Sequence, residues 1–412
     1  MPAPSRSPGS GRPRHARKDG ARKDGAGQNG GARAQSSQRS ADRHGAGDAP
    51  VYAVLDLGTN NCRLMIASLH NSQFRIIEAF SRIVRLGEGL SHSGLLAENA
   101  MDRAMRALKI CAEKIEKRGV QRIRAVATQA CRAANNGQDF VRRVERETGL
   151  KLTIISPEEE AHLSVMGCAS LLDGHTTDRP AHAALVMDVG GGSTELSWVD
   201  LPPDAPPPPA PPAAGTLRTG GRLPRPRYWI SLPIGVVTLA ERFPEPEGAQ
   251  TPEGQRAWFD AMVGHVASTV EAFRDPEPLR DVFDAGHAYI VGTSGAITSL
   301  AGMHLNLERY DRAQVDGLWM SRGHCQDVIT RLLGQPRSQR ELEPCVGRDR
   351  ADLVLAGAAI LEAVQTQWPC ERLRVADRGL REGLLLSMAK KKTRRRRRGR
   401  GGAKSAVEVA AS

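Results

Sequence analysis

Twice in this chain an apolar strand ends in an aspartate, turns through residues with almost no side chains, and returns as a second apolar strand. The clearer instance is ALVMDVGGGSTELSWV, from Ala184 to Val199, where Asp188 precedes a triple-glycine turn and Ser193, Thr194 and Glu195 follow it. The other is VYAVLDLGTNNCRLMIASL from Val51, with Asp56 before Gly58, Thr59, Asn60 and Asn61. Glycine lets backbone N–H groups converge on an anion and lets that anion come close. Hairpins also use glycine for turn geometry alone. The repetition, about 130 residues on, is what gives the pattern force. Each hairpin also has a third apolar run behind it, FRIIEAF from Phe74 and RYWISLPIGVV from Arg227. Two such meanders predict a duplicated α/β fold whose halves present two turns to one cleft.

Elements alternate behind each meander. Met101, Met105, Leu108, Ala112 and Ile115 recur at helical spacing, and Gly119 closes that helix. RIRAVAT from Arg122 and KLTIIS from Lys151 read as strands, with a helix over 138–148 ending at Gly149 between them. Strands alternating with helices indicate an α/β architecture. Residues 201–227 are so rich in proline that they read as an exposed loop.

The formal charge is +12, carried by the ends. Residues 1–50 hold +6 and residues 389–412 hold +9, which leaves the stretch between at −3. The organisation expected is a disordered basic tail over 1–49, a first domain over 50–178, a second over 179–388, and a Lys/Arg-rich tail over 389–412. The last helix is expected to return to the first domain. Such tails suit RNA or another polyanion. No apolar run is long enough to span a membrane, and the N-terminus lacks a secretory core. Seven cysteines without metal or disulfide-framework spacing fit a reducing cytoplasm. Neither a Walker-type G-x-x-x-x-G-K-[ST] loop nor a G-x-S-x-G elbow occurs.

ISPEEEAHLSVMG begins a helix at Ser156, with Pro157 at its first position and Glu159 at capping-box spacing. Glu160 points about 100° away and has no capping task, which makes it the candidate general base. Arg132, after the Arg122 strand, is placed to hold a phosphate bidentately. Gly292 to Gly295 open a further helix, either as an anion-binding turn or as an ordinary tight strand–helix connection. Arg378 and Arg381 either face the cleft or pair with nearby acids. Asp188 and Glu195 can hold a hard cation.

These segments, with RADLVLAGAAIL and DRGLREGLL, resemble in sequence and order the Ppx/GppA family of exopolyphosphatases and guanosine pentaphosphate phosphohydrolases. The resemblance covers roughly residues 51–388. It implies two ribonuclease-H-like domains of the actin-like ATPase superfamily flanking a cleft. It implies a Mg²⁺-dependent hydrolase that removes the terminal phosphate of polyphosphate or pppGpp. It assigns catalysis to Glu160 and Arg132, metal binding to Asp188 and Glu195, and phosphate cradling to Gly58, Thr59, Asn60, Asn61, Gly190, Gly191, Gly192, Ser193 and Thr194. Asn61 stands where many members have serine, and Pro157 where the family usually has glycine. The long C-terminal helical extension of larger members is absent from the sequence. Alternatives within that frame are a sugar- or acetate-type kinase and a non-catalytic alarmone binder. A homodimer is an expected assembly.

Overall fold

A computed structural model describes residues 49–174, 180–201, 215–219, 223–246, 251–272 and 277–389, and counts and absences below refer to these residues. Both expected tails and most of the Pro-rich segment lie outside them.

Two mixed sheets form the core. In the first, β1 (Val51–Leu57), β2 (Asn61–His70) and β3 (Gln73–Ile83) make an antiparallel meander. β4 (Arg122–Ala127) and β5 (Leu152–Ile154) then add in parallel beside β1. A short strand, β8 (Thr216–Arg218), completes the order β5-β4-β1-β2-β3-β8. The second sheet repeats the plan. β6 (Ala183–Val189), β7 (Thr194–Asp200) and β9 (Tyr228–Leu232) form its meander. β10 (Ala288–Thr293) and β12 (Arg372–Ala376) run parallel to β6, and β11 (Trp319–Ser321) closes the edge, giving β11-β12-β10-β6-β7-β9. These are two ribonuclease-H-like halves. The central strands read as continuous apolar runs because helices cover both of their faces.

Sequence spacing located some of the long helices and missed others, such as Pro252–Glu271 and Arg322–Leu333. Helix Glu98–Lys117 buries Met101, Met105, Leu108 and Ile115 against the first sheet. Helix Gly137–Thr148 stops at Gly149, whose φ of 71° suits glycine. The run from Arg227 was expected to be one strand, but β9 ends at Leu232 and helix Val236–Arg242 begins four residues later. Pro233 and Gly235 punctuate the apolar run and separate the two elements.

Two helices are exchanged between the halves. Helix Pro157–Gly167 follows β5 of the first sheet but packs against β6, β7 and β9 of the second. The helix over 380–389 follows β12 of the second sheet, yet Leu384, Leu385 and Leu386 join Tyr52, Val54, Met65 and Phe74 under the first. The two helices touch backbone to backbone. A Cβ on Gly167 would lie 1.9 Å from Gly379 O, and one on Gly383 would lie 2.0 Å from Leu163 O.

The Pro-rich insertion is not simply a solvent loop. Thr216–Arg218 pairs antiparallel with Gln73–Arg75 of β3, so a segment of the second half extends the first half's sheet. Ile76 N donates to Gly215 O at 2.8 Å, Thr219 donates twice to Ser72 O, and Leu217 is buried. The prolines stop before β8 and resume after it, which leaves a short stretch free to make ladder bonds. Replacing residues 202–226 by a short Gly-containing turn should therefore lower the melting temperature. Losing the burial of Leu217 alone removes about 1.5–3 kcal/mol. An unchanged thermal melt would show that β8 adds nothing.

Candidate functional site

The two glycine turns meet. A Cβ on Gly191 would lie 3.0 Å from Asn60 N, and one on Gly192 would lie 2.7 Å from Thr59 Oγ1. Only glycine at these positions lets the second turn approach the first so closely. Around their contact lies a cavity of ≈ 530 Å³, lined from both halves by Asp56, Gly58 to Asn61, Arg63, Glu160, Asp188, Gly190 to Ser193, Glu195, Thr293 to Gly295, and the segments 344–350 and 377–382.

Acidic groups gather on one wall. Asp188 and Glu195 are directly opposed in the β6–β7 ladder, so their side chains share a face. Like charges so placed repel. Glu160 and Ser164 are one helical turn apart on helix Pro157–Gly167. The exchange of that helix brings both to the β6–β7 hairpin. Ser164 Oγ donates to Asp188, and Ser231 Oγ donates to Glu195 Oε1 at 2.9 Å. Burial raises all of these carboxyls. Glu195 is pushed up to about 7, by burial and then by Asp188. Asp56 rises to about 6, chiefly by burial, against the pull of Arg63 and Arg381. Glu160 is raised well above the carboxylate range by burial and by Glu195. Asp188 is raised by burial, which the Ser164 hydrogen bond opposes.

A carboxyl raised in the folded state stabilises the fold below its unfolded value and loses that contribution as pH climbs through the folded one. For Asp56 and Glu195 that window runs from about pH 4 to 7. Without divalent cation, the protein should melt at lower temperature at pH 8 than at pH 5.5. Glu195→Gln should flatten that slope. A variant with the same pH dependence as the parent would show that Glu195 titrates normally.

Two expected site residues turn away from the cavity. Arg132 sits on helix Gln129–Ala133, and its guanidinium donates to Ile155 O at 2.7 Å, Glu160 Oε2 at 3.1 Å and Gln129 Oε1 at 2.7 Å. It orients Glu160 and does not line the cavity. The Thr194 hydroxyl is spent on Ile234 O at 2.7 Å, and its side chain is fully buried. The capping box is half formed as well. Ser156 Oγ accepts from Glu159 N at 3.1 Å, but the Glu159 carboxylate pairs with Arg124 instead of returning to the cap.

Other cavity residues were not singled out in the sequence. Asp56 holds in β1 the position that Asp188 holds in β6, so the repeat itself pointed to it. Arg63 and the 344–350 segment were missed. That segment is tied across the cleft, because Arg85 donates to Asp352 at 2.8 and 3.0 Å and to Asp349 O at 3.3 Å. Of the two arginines left open, Arg378 pairs with Asp316 and donates to Ser170 Oγ at 2.7 Å. Arg381 faces the cavity. Asn60 keeps a buried side-chain oxygen without a partner.

No described helix is long and apolar enough to cross a membrane. The chain resembles a Ppx/GppA member from Aquifex aeolicus at 29% identity and a TM-score of 0.62, over 83% of this chain and 98% of that one. An exopolyphosphatase from Cytophaga hutchinsonii shares the fold, with a TM-score of 0.67 at 22% identity over 83% of this chain and 98% of its own. The model of the Ppx/GppA phosphatase family matches residues 65–392. With both glycine turns and the acidic wall assembled on one cleft, the chain belongs to the Ppx/GppA phosphatase family.

Proposed function

We propose that this protein hydrolyses the terminal phosphoanhydride of a phosphate chain, inorganic polyphosphate or pppGpp, with Mg²⁺. The observation that carries the reading is the convergence of two glycine turns, a buried carboxylate at Glu160 and an acidic pair at Asp188 and Glu195 on one cavity. The names of similar proteins support the same substrate class.

Glu160 is the group to hold the attacking water. Arg132 fixes one of its oxygens, so the carboxylate can orient the water and accept its proton. Its raised pKa makes it a stronger base than an exposed glutamate. N–H groups of the two turns offer hydrogen bonds to the non-bridging oxygens of the phosphate under attack. The leaving group is the shortened chain, or ppGpp when the substrate is pppGpp.

The donor set fits Mg²⁺. Asp188 and Glu195 are hard oxygen ligands whose mutual repulsion a cation would relieve. Among the described residues no three His, Cys, Asp or Glu side chains form a ready cage. Mg²⁺ commonly keeps waters and takes substrate phosphate oxygens beside one or two carboxylates. When bound it would neutralise charge on the phosphate oxygens.

The test is phosphate release from long polyphosphate, tripolyphosphate and pppGpp side by side, with Mg²⁺. Release from at least one is expected, and none from folded protein would overturn the reading. Asp188→Asn should raise the Mg²⁺ concentration for half-maximal activity at least about tenfold, since loss of an outer-shell partner alone costs about 10–100-fold. An unchanged Mg²⁺ titration would remove Asp188 from the metal site.

A further inference from the structure

The arginines around the cleft divide by whether their donors are already spent. Arg132 is fixed on three protein acceptors, Arg378 on Asp316 and Ser170, and Arg85 on Asp352 and Asp349 O. Arg381 is different. It lines the cavity and makes no hydrogen bond and no ion pair with any described residue. Nor are its nitrogens sealed from the cavity as orphaned donors.

Its position is costly for a cation. Arg381 is the second residue of the helix over 380–389, where the helix dipole disfavours positive charge. Arg63 stands near enough to add like-charge repulsion. Burial depresses the guanidinium's pKa, against the pull of Glu382 and with the push of Arg63. The two nearby carboxylates do not neutralise it by contact. Glu382 spends one oxygen on Arg312 at 3.1 Å and the other on Gly379 N at 2.9 Å. Asp56 acts on Arg381 only through its field.

Arg63 has the same character. Its guanidinium lines the cavity with no hydrogen-bonded partner among the described residues, and its Nη2 would lie 3.9 Å from a Cβ on Gly295. These two unpaired guanidinia, with the exposed Arg348 as a third on the same cavity, make a site for a polyanion with several oxygens, because a guanidinium presents a fork of donors.

We propose that Arg381 is a substrate-binding residue, which with Arg63 holds the phosphate chain in the cleft between the glycine turns and the final helix. The inference rests on the functional reading above and deepens it. It assigns to the final helix a ligand contact as well as a packing role.

The experiment is calorimetric titration of tripolyphosphate in Mg²⁺ buffer into a Glu160→Gln parent, which removes turnover. A second protein carries Glu160→Gln and Arg381→Met, and thermal melts check that both are folded. Loss of charge-assisted hydrogen bonds should weaken binding by about tenfold or more. Arg381→Lys in the same background keeps the charge but loses the fork, and should bind between parent and Met variant. Should the Met variant fail to fold, the Lys variant decides. Equal affinity of parent and folded Met variant, or of parent and Lys variant in that case, overturns this proposal alone. Long polyphosphate and pppGpp are titrated alongside, and the variants are compared on whichever ligand binds; a parent that binds none of the three overturns the functional reading and this proposal with it.

Discussion

Glu160→Gln is expected to cut turnover by about 10²–10⁴-fold, the usual contribution of a positioned general base. The amide keeps the shape of the side chain and its hydrogen bond from Arg132, so substrate binding should change little. It loses the ability to take a proton from water. The change also removes an ionisable group whose charging burial and Glu195 oppose. The folded protein should therefore be as stable as the parent, or more so, at neutral pH. That combination separates a catalytic role from a structural one. Single-turnover rates on tripolyphosphate, with melting temperatures alongside, give the measurement. Turnover within a few-fold of the parent would assign the base elsewhere.

The second large effect is expected far from the chemistry. Gly383→Ala places a methyl carbon 2.0 Å from Leu163 O, where the neighbour is backbone and cannot swing away. The two exchanged helices must then separate. Overpacking costs about 1–3 kcal/mol in well-packed cores, and this contact should reach the upper end of that range. Activity should fall too, because one helix carries Glu160 and Ser164 and the other Arg381 and Glu382. Gly264→Ala is the contrast. Gly264 lies within helix Pro252–Glu271 with open space around its Cα, so alanine should stabilise by about 0.5–1 kcal/mol. Chemical denaturation of the two variants decides. If Gly383→Ala is as stable as the parent, the helix crossing is looser than described.

What the sequence could reveal follows the range of the interactions. The two hairpins were legible because each is built from neighbours: an apolar run, a turn that needs glycine, and a returning run. The Ser156 cap was legible for the same reason, since its partner is the N–H of Glu159. Arg132 was read from the sequence as a phosphate holder, whereas in the structure its guanidinium is bonded to protein acceptors. Its partners Ile155 and Glu160 lie 23 and 28 residues on, and no local pattern announces them. β8 was hidden because three residues in a Pro-rich stretch carry no periodicity, and its partner strand is remote. Arg378 and Arg381 are three residues apart and look alike in sequence. Asp316 separates them by claiming the first, and only the tertiary fold brings it there.

The exchanged final helix bears on how the chain is made. Synthesis delivers β1 to β5 first, and many proteins fold such an N-terminal unit before the next emerges. Here Leu384, Leu385, Leu386 and Met388 are required to cover Tyr52, Val54, Met65 and Phe74. They are among the last described residues to leave the ribosome. The early sheet must wait with one apolar face uncovered until the second half has been made. A nascent chain interrupted before Leu380 would present that face to chaperones and proteases. Completion of the first half thus reports that the second has been synthesised through its final helix.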